Sequence, residues 1–342
     1  MTAESTFPQL AEGEGATGVG SMPGTDAREA ARTVAGELSA LPHLPELPAR
    51  GPGADMIGRS LGLLVELWAR VEPSGWRFGD RPGRDTRRAH SFLGEDLDAL
   101  EEFTQGYQGP VKVQAVGPWT LAAGVELHNG QRALADPGAC RDIAGSLAEG
   151  LRAHLDELRR RIPGGRPVLQ FDEPSLPAVL AGTVRTASGW QRHRAVEESV
   201  AEERLRELIG ALGVPAVVHC CAPGVPIGML RRAGASAVSL DWSLLRARDH
   251  DSVGEAVEAG TVFLAGVVPA VPGPGAAELS DPAGTVSGVR TVWKRLGLDP
   301  GLLARRVVVT PTCGLAGADP AYARRALAHG VRAARSLADA PE

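Results

Sequence analysis

Lysine is almost missing from this chain. Of 36 basic residues only Lys112 and Lys294 are lysines, so Schiff-base chemistry has two candidates, and neither stands in a sequence context that suggests it. Cysteine is scarce as well. Cys140, Cys220, Cys221 and Cys313 are too few to staple 342 residues, and such a set in a reducing compartment binds metal, performs catalysis or is simply buried. No apolar run approaches the ~20 residues that span a bilayer. The most apolar stretch, 261–271, is interrupted by Pro269. Residues 1–15 lack the charged-then-apolar pattern of a secretory signal. These absences predict a soluble, cytoplasmic protein with no membrane partner. The 41 acidic residues outnumber the basic ones for a net charge of −5, and no Lys/Arg cluster offers a footprint for nucleic acid. Signature loops are missing too, with no Gly-x-Ser-x-Gly elbow and no P-loop. The triplet Gly13, Gly15 and Gly18 has the spacing of a dinucleotide-binding loop, but it precedes a strand instead of following one.

What remains is an ordinary globular composition, 43% hydrophobic and 23% charged. The length suits two small domains or one large α/β barrel. Residues 1–14 read as a flexible tail. From residue 15 to residue 342, short β-like runs alternate with longer helical patterns. The strand candidates are 16–21, 44–47, 111–116, 167–171, 216–220, 237–240, 261–267 and 307–312. The helix candidates are 26–40, 56–71, 93–104, 137–161, 195–211, 225–233, 283–296 and 320–337, rich in Ala, Leu, Arg and Glu with apolar residues at three- and four-residue steps. Thr25-Asp26 and Asp319-Pro320 look like helix starts. Segments 105–110 and 269–275 read as loops. Pro42, Pro45 and Pro48 crowd the second strand. Eight strands alternating with helices, with no composition break, predict a single-domain α/β protein, a (β/α)8 TIM barrel.

Such barrels build their active sites at the C-terminal ends of the strands. The chemically able residues gather there. Gly20-Ser21 follows the first strand, Gly117-Pro118-Trp119 the third, Asp172-Glu173-Pro174 the fourth, His219-Cys220-Cys221 the fifth, Asp241-Trp242 the sixth and Cys313-Gly314 the eighth. Side chains alternate along a strand, so His219 and Cys221 face one way and Cys220 the other. Imidazole and thiolate are good zinc ligands. Cys313 adds a second thiolate and Asp241 a carboxylate, enough for a tetrahedral Zn²⁺. The plainer readings are a satisfied core histidine at 219, a capping carboxylate at 241 and buried hydrophobes at Cys140 and Cys220. The remaining histidines read as solvated or capping.

Taken in order, these strand ends resemble the catalytic barrel of the cobalamin-independent methionine synthases. Gly20-Ser21-Met22-Pro23 is similar to the family's Gly-Ser-Phe-Pro, and Gly117-Pro118-Trp119-Thr120 to its Gly-Pro-Val-Thr. Asp172-Glu173-Pro174-Ser175-Leu176 is similar to Asp-Glu-Pro-Ala-Leu, His219-Cys220-Cys221 to His-x-Cys and Cys313-Gly314-Leu315 to Cys-Gly-Leu. The likeness runs from about residue 18 to residue 334. It implies a zinc-dependent methyltransferase that methylates the thiol of homocysteine to form methionine. On this likeness His219, Cys221 and Cys313 are metal ligands and catalytic, and Asp241 is the fourth ligand in place of the family's longer Glu. Gly20, Ser21 and Met22 would hold the substrate carboxylate and Asp172 its ammonium. Glu173 would join them or brace the site, and Trp119 would lie beside the donor.

The departures fall mainly on the donor side. Arg50 aligns with the family's second amino-binding carboxylate, leaving Glu46 or Asp55 as substitutes. Val267-Val268-Pro269 stands where the family has a proton-donating His, and its folate-stacking Trp aligns near Gly124. The usual additional N-terminal barrel has no counterpart here. The expected donor is therefore methyltetrahydrofolate or methylcobalamin, the latter free or on a corrinoid protein. The alternatives are a corrinoid-dependent thiol methyltransferase of the coenzyme M type, a uroporphyrinogen decarboxylase-like barrel and a non-catalytic zinc-binding protein.

Overall fold

The computed structural model describes residues 6–273 and 279–340. Six parallel strands run in chain order: β3 (Gly109–Val116), β4 (Gly165–Asp172), β5 (Ala216–Cys220), β6 (Ala237–Asp241), β7 (Val262–Val268) and β8 (Val307–Pro311). Helices alternate with them, as the βαβ rule requires. The two N-terminal strands expected at 16–21 and 44–47 are reduced to single parallel bridges. Ala16 pairs with Val309, Ser21 with Glu46 and His43 with Lys112, which carries the curled sheet round towards closure. Glycine at 15, 18 and 20 and proline at 42, 45 and 48 explain why longer ladders do not form there. The result is the α/β, TIM-barrel-like fold that the alternation predicts.

Several elements differ from expectation: the helix expected over 93–104 already starts at Arg84, the expected loop 105–110 ends in the first residues of β3, and Pro118–Gly124 and Leu176–Leu180 are helices that were not expected. The helix expected over 56–71 stops at Leu61, and a hairpin follows, β1 (Trp68–Glu72) and β2 (Gly75–Gly79), joined through Pro73 and Ser74. The helix His250–Glu258 was not anticipated, because only Val253, Ala256 and Val257 mark its buried face. The expected helix starts hold: Asp26 caps Ala27–Glu37, and Asp319 caps Pro320–Asp339 by accepting from the Tyr322 N–H. Residues 269–273 lie in neither helix nor strand, and positions 274 and 275 of that expected loop lie outside the described residues. Among the described residues no helix is long and apolar enough to cross a membrane.

Strand parity sorts the barrel interior into layers. Val168, Gln170 and Asp172 share one face of β4, and Val217 and His219 share one face of β5. The lowest layer is apolar, with Leu41, Val168, Val217, Ala237, Leu264 and Val308 in one cluster. Phe7 belongs to the same cluster and is 5% exposed. Residues 1–5 of the expected 1–14 tail lie outside the described residues; at Phe7 the chain instead packs on the barrel floor, because an aromatic ring gains more there than in water. Above that floor the interior turns polar, with Lys112, Gln114, Gln170 and Ser239 all buried. The top of this polar column is the candidate site.

Candidate active site

Sheet register sets the first contacts. His219 on β5 pairs with Asp172 on β4 and with Ser239 on β6. The His219 Nδ1 lies 2.8 Å from the Ser239 hydroxyl, which orients the ring and leaves Nε2 for another partner. Cys221, one residue beyond β5, approaches Cys313, two residues beyond β8, with their sulfurs 3.5 Å apart. The ligating atoms of His219, Cys221 and Cys313 all lie within 4.8 Å of one another. Two thiolates on a tetrahedral Zn²⁺, with bonds of about 2.3 Å, would sit about 3.8 Å apart, so this donor set fits that ion. A hydrogen bond with Cys221 and the imidazole of His219 hold the Cys313 thiol well below its usual range, and the same contact pushes Cys221 up. Cys220 is buried facing the other way, and burial pushes its thiol up to about 12.

Asp241 is not part of this group. Its Oδ1 accepts from the Ser243 N–H at 2.9 Å and from the Ser243 hydroxyl at 2.6 Å, capping the turn Trp242–Leu244. A short carboxylate at a strand end finds these local donors first, and a role for Asp241 as fourth ligand stays a proposal.

Around the three residues lies a cavity of about 130 Å³, lined among others by Gly20, Ser21, Glu46, Asp172, His219 and Cys221. Space of this order suits a small amino acid. Two carboxylates reach the cavity, Asp172 from the end of β4 and Glu46 from the bridge with Ser21. Asp172 accepts from Gln170 Nε2 at 2.7 Å, and Glu46 faces Arg59 at 3.4 Å. Burial raises both above the usual carboxylate range, Glu46 to about 7, against the pull of Arg59. Arg59 in turn pairs with Asp96, which also takes Arg50 at 2.7 Å. Glu46 is thus the second carboxylate of the site. Of the two substitutes the sequence offers, Glu46 lines the cavity through its bridge with Ser21, while Asp55 is taken by the Gly53 and Gly58 N–H groups and the Trp76 indole.

Ser21 brings its hydroxyl close to Gly314, where a Cβ would lie 1.9 Å from Oγ, so a side chain at 314 would turn the hydroxyl out of its present position. The Ser21 carbonyl accepts from the Leu315 N–H at 2.8 Å, joining the first and last strand ends. The Met22 N–H is already spent on the Glu46 carbonyl at 2.8 Å, and its side chain packs in the core. Met22 therefore does not present a donor to the cavity, contrary to expectation.

Of the two roles expected for Glu173 the structure shows the bracing one, and the expectation for Trp119 changes. Glu173 is fully buried and accepts from the Trp119 N–H, the Thr120 N–H and the Thr120 hydroxyl at 2.7–2.9 Å. It caps the helix Pro118–Gly124 and does not line the cavity. The Trp119 ring is 3% exposed, with Nε1 on the Ala201 carbonyl at 3.3 Å, so it offers no face to a ligand. Proline at 118 starts the helix and turns the indole into the core behind the site.

The family described as "Cobalamin-independent synthase, Catalytic domain" matches residues 15–336. No curated protein matches the chain. Among solved structures, a B12-independent methionine synthase from Shewanella sp. W3-18-1, in complex with selenomethionine, is 13% identical with a TM-score of 0.60 over 96% of this chain and 97% of that one. A methyltransferase from Methanosarcina mazei is also 13% identical, with a TM-score of 0.57 over 96% of this chain and 94% of that one. At that identity the two structures speak for the fold, and the sequence match over residues 15–336 assigns the family: the chain belongs to the cobalamin-independent synthase catalytic domains.

Proposed function

We propose that residues 15–342 form one catalytic domain that methylates the sulfur of homocysteine to give methionine. The observation that carries this reading is the convergence of His219, Cys221 and Cys313 from two strand ends onto one point beside a cavity of amino-acid size. These three residues would hold Zn²⁺, whose chemistry when bound is to keep a thiol sulfur deprotonated and nucleophilic near neutral pH. Family membership and the selenomethionine complex of the Shewanella protein support the same acceptor.

The chain's own residues orient the acceptor. Asp172 and Glu46 flank the cavity and would bind the ammonium. The Ser21 hydroxyl and N–H, beside Gly20, would take the carboxylate. Held at both polar ends, the acceptor presents its sulfur towards the two cysteines, which removes most of the entropic cost of encounter. The sulfur–methyl bond forms as the donor's bond to methyl breaks, with that electron pair staying on the donor. Two buried carboxylates opposite the metal-ligand group favour an amino-acid thiol over a coenzyme M-type acceptor, which has no ammonium to pair with them. The donor is methyltetrahydrofolate or methylcobalamin, free or on a corrinoid protein, entering from the open mouth and not read by Trp119. All four cysteines are free, as a reducing cytoplasm would keep them.

The test is direct. Zinc-loaded protein is given homocysteine with each donor in turn, and methionine is measured. Turnover with either donor supports the reading. Stoichiometric zinc with no methionine from either would favour a non-catalytic zinc-binding protein.

A further inference from the structure

Below the cavity, inside the barrel, lies a fully buried lysine. Lys112 on β3 is 0% exposed, and its ammonium donates to the Val19 carbonyl and to Gln170 Oε1, both at 2.8 Å. An ammonium has donors only, so Gln170 must turn its oxygen to it. The Gln170 amide nitrogen then faces the other way, donating to Asp172 Oδ1 at 2.7 Å and to the Val19 carbonyl at 2.8 Å. Val19 lines the cavity just before Gly20 and Ser21. The register neighbours of the lysine and the glutamine, Val168 beside Lys112 and Val217 beside Gln170, are apolar and fill the barrel without a buried charge. A charge in this layer carries a desolvation penalty that an apolar residue would avoid. Asp172 and Glu46 favour that charge through space, while burial opposes it.

We propose that Lys112 is a positioning residue for the acceptor's amino group, acting through Gln170. It fixes the amide orientation, the amide fixes Asp172 Oδ1, and Asp172 Oδ2 is left without a partner among the described residues to meet an ammonium. The shared Val19 carbonyl ties the Gly20–Ser21 corner to the same ammonium. Without Lys112 the amide is free to turn its oxygen towards Asp172, setting two acceptors face to face. The inference rests on the proposed amino-acid acceptor and adds the device that would make the site select it.

The experiment compares two thiols on zinc-loaded protein by calorimetric titration: L-homocysteine, and 4-mercaptobutanoate, which lacks only the amino group. The variants are Lys112→Met and Gln170→Met, the second leaving the lysine in place, with zinc content measured in each. The expected result is a loss of homocysteine affinity of about tenfold or more in each folded variant, with 4-mercaptobutanoate changed less than threefold and zinc retained. Equal losses for both thiols would reduce Lys112 to a structural part of the barrel and overturn the proposal. So would unchanged homocysteine binding in Gln170→Met. Wild-type protein that binds 4-mercaptobutanoate as tightly as homocysteine overturns the amino-acid reading itself, and this inference with it.

Discussion

The sulfurs of Cys221 and Cys313 lie 3.5 Å apart although 92 residues separate them in the chain. Strands β5 and β8 are not neighbours in the sheet, so the contact exists only because the sheet curls. Cys221→Ser and Cys313→Ser should each abolish stoichiometric zinc, while Asp241→Asn, whose carboxylate is engaged by Ser243, should retain it. Metal analysis of the purified variants checks this, and loss of zinc in Asp241→Asn would establish the carboxylate as a ligand.

Ser239 should matter to the metal without touching it. Its hydroxyl orients His219 at 2.8 Å. Removing such an outer partner typically lowers affinity about 10–100-fold. Ser239→Ala should show that loss in a competition titration against a chelating dye, with the fold unchanged by circular dichroism.

The two carboxylates should control amino-acid binding. Glu46→Gln and Asp172→Asn each remove one charged partner of the ammonium, and a hydrogen bond to a charged group contributes about 1.5–3 kcal/mol. Affinity for L-methionine should fall about 10–100-fold in each, read by calorimetry. Trp119→Phe, which alters a buried ring, should leave it within about threefold.

Methionine binding should depend on pH through Glu46. Burial, Asp172 and Asp96 raise its carboxyl to about 7, with Arg59 and Lys112 opposing. Above that value it is charged and pairs with the ammonium; below it the carboxyl is neutral. Affinity should therefore weaken as pH falls from 8 to 6, where methionine itself does not titrate. Glu46→Gln should flatten the profile, and an unchanged slope in that variant would assign the effect elsewhere.

Gly117 should tolerate no side chain. A Cβ there would lie 2.3 Å from Glu173 Oε1, the group that caps Pro118–Gly124. Gly117→Ala should destabilise the protein by about 1–3 kcal/mol, as overpacking does, seen as a lower thermal midpoint with the zinc content of the folded protein unchanged.

The alternation of apolar runs and helical patterns was enough to determine the α/β barrel class, and strand-end position was enough to single out His219, Cys221 and Cys313. Those inferences rest on local periodicity and on residue chemistry, both written in the chain order. What the tertiary structure decided is where polar side chains spend their hydrogen bonds. Glu173 was taken by the helix start after a neighbouring strand, and Trp119 by a carbonyl 82 residues away. Glu46 entered the site through one bridge in a proline-crowded segment, and Lys112, unremarkable in sequence, met Gln170 inside the barrel. Such pairings depend on register and curvature, which place distant residues within hydrogen-bonding distance, and no local pattern in the chain encodes that distance.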